Sequence, residues 1–100
     1  MYDPKNIGKL PRFAELAPEA FKAFVAFDAA AFAGGAISLK HKELIAVAVA
    51  LTTQCPYCIQ IHTNRAREAG ADDCELAETT IIAAALRAGG AMTHGTHTLE

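Results

Sequence analysis

Apolar residues recur at helical spacing through most of the chain, and proline, glycine or acidic breaks divide them into segments. Phe21, Phe24, Phe27 and Phe32 follow Pro18-Glu19, a proline and an acid suited to a first turn, and the pattern stops before Gly34-Gly35. A second segment starts at Ser38, a favoured N-cap, and passes through the polar turn Lys40-His41-Lys42-Glu43. From Leu44 to Leu51 it is apolar on every side, which predicts a central helix buried all round, with Glu43 its last charge. Cys55-Pro56 reads as N-cap and N1 of a third helix that ends near Ala69, with Gly70 as a left-handed cap. Asp72 and Glu75 stand at capping-box spacing and open a fourth helix to about Ala88. Gly89-Gly90 predicts a corner, with a short fifth helix from Ala91. Pro4, Gly8 and Pro11 mark residues 1–17 as an irregular arm, laid on a surface through Ile7, Leu10, Phe13 and Leu16. No alternating strand pattern of useful length is present. The predicted fold is all-α, an antiparallel bundle of about five helices in one domain over residues 18–98. The second and third helices form its central hairpin. Leu99-Glu100 reads as a cloning scar and carries no argument.

Composition sharpens this picture. In 100 residues, 52% are hydrophobic, more apolar surface than a lone small domain hides easily, so a homo-oligomer is expected. A net charge of −2 and the absence of any basic cluster interleaved with aromatics argue against nucleic acid as a partner. The start of the chain, Met1-Tyr2-Asp3-Pro4-Lys5, lacks the basic and apolar regions of a signal peptide. The charge-free run between Glu43 and Arg65 is interrupted by Thr52, Thr53, Gln54, Pro56, Gln60, His62 and Asn64, too polar for a membrane span. Three cysteines, two of them three apart, do not form a secreted disulfide framework, so a cytoplasmic, reducing compartment is expected.

The candidate chemistry gathers in Cys55-Pro56-Tyr57-Cys58-Ile59-Gln60-Ile61-His62. On a helix, Cys55, Cys58 and His62 share one face. Both thiols lie at a helix N-terminus, where partial positive charge favours the thiolate. Folding the second and third helices back on each other leaves Glu43 and His62 separated by ~8 Å along the axis, a gap two side chains and a water can close. The order in space is then Glu43, His62, Cys58, Cys55, a proton relay ending at a thiol.

Glu43, eleven residues, Cys55-x-x-Cys58, three residues, His62 resembles the signature of the alkylhydroperoxidase D branch of the carboxymuconolactone decarboxylase superfamily. The similarity runs from about Ala17 to Thr96 and includes Ala69-Gly70-Ala71. It implies an all-helical subunit that assembles as a trimer or as a hexamer of dimers. It also implies a thiol-dependent hydroperoxide reductase cycling through a Cys55–Cys58 disulfide, without cofactor or metal. Cys58 matches the peroxidatic position, Cys55 the resolving one, and Glu43 and His62 the proton relay. The implied partners are a small hydroperoxide and an external dithiol reductant of the dihydrolipoamide or thioredoxin kind. Tyr57 stands where alkylhydroperoxidase D itself has a histidine, and the chain lacks that protein's additional helical half. Disulfide chemistry therefore transfers better than peroxidase turnover. Tyr57 is either a packing residue or a hydroxyl donor in the substrate pocket.

Three other readings compete. The scaffold can serve a non-redox lyase or bind a small organic acid near His62. A metal site could use Cys55, Cys58, His62 and Glu43, although a single cysteine pair lacks the usual second ligand pair. The two thiols could also be inert. Cys74 reads as structural, His94 and His97 as an incidental pair near a frayed end, and His41 as a solvated residue. Arg65 and Arg87 are assigned to a possible subunit interface.

Overall fold

The computed structural model describes residues 1–100 and is helical throughout, with no strand. Five α-helices follow one another: α1 (Pro11–Leu16), α2 (Pro18–Phe32), α3 (Leu39–Thr53), α4 (Pro56–Glu68) and α5 (Asp73–Gly95). Short 3-10 segments, Pro4–Lys9 and Thr96–Thr98, lie at the two ends. The expected all-α class holds. The chain forms two compact units, Met1–Leu39 and Lys40–Glu100.

In the first unit the expected irregular arm is instead helical. Pro4, Pro11 and Pro18 each occupy the start of a helical segment, where the missing N–H would have no partner anyway. Pro56 does the same for α4, so all four prolines in the chain begin helices. Phe13 of α1 meets Phe21 of α2 at 5.9 Å between ring centroids, and Phe21 stacks toward Phe24 at 6.5 Å. Phe24 and Phe27 remain exposed in the single chain, so the aromatic row is not a monomer core.

In the second unit two polar links fix α3 against α5. Lys40 Nζ meets Glu75 Oε2 at 2.8 Å, and Arg87 Nη1 donates to the Thr52 carbonyl at 2.5 Å. The anchors lie twelve residues apart on each helix, about 18 Å of rise, so α3 and α5 run parallel and in register. Between them the chain returns through α4. The turn after α3 is closed by Cys55 N–H on the Ala50 carbonyl at 3.1 Å, with Gln54 in the left-handed region at φ 55°. The turn after α4 repeats this closure: Ala71 N–H reaches Ala66 O at 2.9 Å around Gly70 at φ 102°. At Gly70 the residue suits the conformation; at Gln54 it does not, and the side chain carries the left-handed cost.

Two expectations need correction here. The helix α3 is not buried all round: Glu43, Val47 and Ala50 are buried, whereas Ile45 and Val49 are exposed. An all-apolar sequence reports how much surface must be covered, not that one chain covers it. Nor do Gly89 and Gly90 make a corner, because α5 runs straight through them to Gly95. Each glycine costs a helix about 1 kcal/mol, a penalty that the flanking alanines and the capping box of Asp72 and Glu75 can absorb. The fifth helix is thus α1 and not a C-terminal piece.

An added Cβ at Gly89 or Gly90 meets no heavy atom within 4 Å. Gly89→Ala is expected to raise stability by about 0.5–1 kcal/mol, read as a higher urea midpoint with an unchanged slope. A lower midpoint would overturn this expectation.

Candidate functional site

The site is built on the α3–α4 turn. Cys55 is extended (φ −98°, ψ 97°), as the residue before a proline must be, and so serves as N-cap of α4. Its Sγ accepts the Cys58 backbone N–H at 3.3 Å, taking up one of the helix's unpaired donors. Both residues are free thiols of intermediate burial. The thiol of Cys55 lies below its ordinary value of 9.0. The largest cause is the hydrogen bond it receives from the Cys58 thiol, followed by the backbone N–H groups of Cys58 and Tyr57. Donating that proton raises the Cys58 thiol above the same value, and burial and the nearby Cys55 charge raise it further. Of the two thiols, Cys55 is therefore the one that gives up its proton first.

Glu43 lies one turn into α3, and only 3% of its surface is exposed. Its Oε2 and Nδ1 of His62 are 2.7 Å apart, with the His62 side chain 17% exposed. The sequence estimate left room for a bridging water; the contact is direct. A carboxylate only accepts, so Nδ1 carries the proton and Nε2 becomes the basic nitrogen of the ring. His62 follows Cys58 by four residues on α4, on the same helical face. A buried carboxylate thus fixes the orientation and tautomer of an imidazole on the helix that begins with the two thiols.

Tyr57 shares the first turn of α4 with Cys58, whereas Cys74 and His94 lie on α5 and His97 just after it. Tyr57 is half-buried in the first turn of α4 and acts on Cys55 through its backbone N–H. Cys74 is exposed at the start of α5. His94 and His97 stand 5.8 Å apart by ring centroids, and His94 Nδ1 lies 2.9 Å from the Gly90 carbonyl. No three His, Cys, Asp or Glu side chains gather as metal ligands. Gln54, which holds the strained turn, was missed, and Arg87, read from the sequence as an interface residue, caps the end of α3 from α5. A signal for Arg87 was its spacing, twelve residues after Glu75, matching Lys40 to Thr52 on the partner helix.

Comparison with known proteins matches residues 18–100 to the model of the carboxymuconolactone decarboxylase family. A protein of Paracoccus denitrificans called "uncharacterized protein 4 in cox locus" is 46% identical over 77 residues, covering 77% of this chain and 69% of that one. An uncharacterized protein of Haemophilus influenzae is 45% identical over 49 residues, 49% of this chain and 43% of its own length. Among solved structures, an apo carboxymuconolactone decarboxylase family protein from Legionella pneumophila superposes with a TM-score of 0.78 at 37% identity. That match covers 83% of this chain and 75% of that one. A protein from Methanobacterium thermoautotrophicum gives 0.83 at 35% identity, covering 88% and 99%. No helix in the chain is long and apolar enough to cross a membrane.

Proposed function

This chain belongs to the carboxymuconolactone decarboxylase family, and we propose that within it the protein is a thiol-dependent reductase of small hydroperoxides. The observation that carries this reading is the pairing of two devices on one helix. Cys55 caps α4 with a sulfur that accepts hydrogen bonds, and His62 is oriented by a buried Glu43 at 2.7 Å. A helix that only packed would need neither.

The roles follow from the place of His62, four residues after Cys58 on one face of α4. His62 Nε2 takes the proton of Cys58, whose sulfur attacks the outer oxygen of the hydroperoxide. An S–O bond forms, the O–O bond breaks, and His62 returns the proton to the departing alkoxide, giving the alcohol and a Cys58 sulfenic acid. The Cys55 thiolate then attacks that sulfur and, with one proton from water, releases water and closes the disulfide. An external dithiol attacks Cys58, and Cys55 departs first because the lower-pKa thiol is the better leaving group. The donor completes the exchange, ending as its own disulfide and restoring both thiols. In this scheme Cys58 meets both outside reactants and Cys55 is the internal partner. The exposed apolar residues Phe24, Phe27, Ile81, Ile82 and Leu86 support assembly into a homo-oligomer.

The test is peroxide consumption with dihydrolipoamide or thioredoxin systems as donors, alongside mass analysis of the protein after one equivalent of peroxide. The expected result is a mass loss of two hydrogens from an intramolecular disulfide, with turnover that Cys58→Ser abolishes. A wild-type protein that forms no disulfide and consumes no peroxide ends the proposal and leaves the scaffold to non-redox chemistry.

A further inference from the structure

Arg87 takes no part in the relay, yet it makes the long-range polar contact at the turn that presents Cys55. From α5 its Nη1 donates to the Thr52 carbonyl, 35 residues away in the chain, one of the last-turn carbonyls that no helical N–H can reach. Its neighbours around a cavity of about 160 Å³ are Leu51, Thr52, Thr80, Ala83 and Ala84, so the guanidinium reaches its acceptor across mostly apolar side chains. Two residues after Thr52 comes Gln54 at φ 55°, a left-handed conformation that a glutamine holds only under constraint. One residue later is Cys55, whose N–H closes the turn on Ala50 O and whose Sγ faces the Cys58 N–H. The hydroxyls of Thr52 and Thr53 both turn back to the Val49 carbonyl at 2.9 Å, so they stiffen the end of α3 without tying it to another helix. Arg87 supplies that tie.

We propose that Arg87 is the positioning residue for Cys55: by fixing the Thr52 carbonyl it holds the Gln54 turn left-handed and so aims the Cys55 sulfur at the start of α4. The idea rests on the reading of Cys55 as the internal thiol of the pair. Arg87 acts through the turn and not through its charge. The groups that set the Cys55 thiol are the Cys58 thiol and the N–H groups of Cys58 and Tyr57, opposed by burial, and the guanidinium is not among them. Loosening the turn lengthens those hydrogen bonds and moves the thiol toward an ordinary one.

Site-resolved iodoacetamide labelling of the reduced full chain across pH tests this, with thermal unfolding measured in parallel. Arg87→Met is expected to raise the midpoint of Cys55 labelling and slow it near neutral pH by roughly threefold, the factor of half a pKa unit. Arg87→Lys, still a donor, should keep most of the wild-type profile. Gln54→Gly removes the left-handed cost, so the double variant Gln54→Gly/Arg87→Met should return toward the wild-type midpoint. That rescue also decides the matter if Arg87→Met alone folds poorly. An unchanged Cys55 profile in Arg87→Met, or a double variant no nearer to wild type than the single one, overturns the proposal. Failure of the wild-type protein to form a disulfide with peroxide would instead strike the catalytic reading and would leave this labelling comparison intact.

Discussion

Replacing His62 with alanine is expected to lower the stability of the protein by about 3 kcal/mol, far more than the loss of a surface histidine, because it strands a buried carboxylate. Glu43 is 3% exposed and its Oε2 lies 2.7 Å from His62 Nδ1. With the imidazole gone, the carboxylate must remain buried without that partner, take up a proton or drag water inward, and each alternative costs free energy. Glu43→Gln should cost less, since an amide can still hydrogen-bond to the ring while the charge is lost. A third variant separates architecture from chemistry. Glu43→Met/His62→Leu replaces the pair by apolar groups of similar bulk, which commonly preserves or improves stability. Urea unfolding should therefore rank the double variant well above His62→Ala, while peroxide consumption is lost in both. If His62→Ala unfolds with the wild-type midpoint, the pair is too well solvated to count as buried, and its part in a relay loses its basis.

The Glu43–His62 contact was legible in the sequence because a helical hairpin is nearly one-dimensional. Once Cys55-Pro56 is recognised as a helix start, counting rises back from Glu43 and His62 brings them to ~8 Å along the axis, within reach of two side chains. Proline and the capping pair Asp72/Glu75 mark their boundaries through local backbone chemistry, and those boundaries stand. Features set by long-range partners were not legible. Whether α3 is covered on every side depends on what lies against it, and its composition of leucine, isoleucine, valine and alanine is the same either way. Gly89-Gly90 has the residues of a corner, but a helix of 23 residues outweighs two local penalties. Pro4 and Pro11 looked like breaks because proline both ends and begins helices, and only the following residues decide which. The acidity order of the thiols also lay beyond spacing. It depends first on the Cys58 thiol donating to Cys55, and then on Cys55 Sγ being the N-cap acceptor.

Cys58→Ala is expected to have the largest effect on activity, a loss of about a thousandfold or more in peroxide turnover, as removal of a nucleophile that acts jointly with its partners produces. Its second consequence is visible without substrate. The main support of the Cys55 thiolate is the hydrogen bond from the Cys58 thiol, so the Cys55 pKa should climb toward 9.0 in this variant. The sign of the linked stability change follows. An acid whose folded pKa is depressed contributes stability that is fully present above its unfolded value and disappears as pH falls through its folded value. Cys55 thus adds stability to the wild-type protein on the alkaline side. Cys58, with a raised folded pKa, contributes below 9.0 and loses its contribution as pH rises through that folded value. In Cys58→Ala the second contribution vanishes and the first shrinks, so the difference in stability from wild type should itself depend on pH around 9.0. Cys55→Ser gives the complementary outcome. Cys58 keeps His62 as its base, one oxygen transfer remains possible, and a sulfenic acid accumulates on Cys58 with no thiol to resolve it. Dimedone adducts located by mass spectrometry would place that sulfenic acid. An adduct on Cys55 in Cys58→Ser, with none on Cys58 in Cys55→Ser, would exchange the two roles. The more acidic thiol would then be the one that meets the peroxide, and the Glu43–His62 pair would serve the return of the proton rather than its removal.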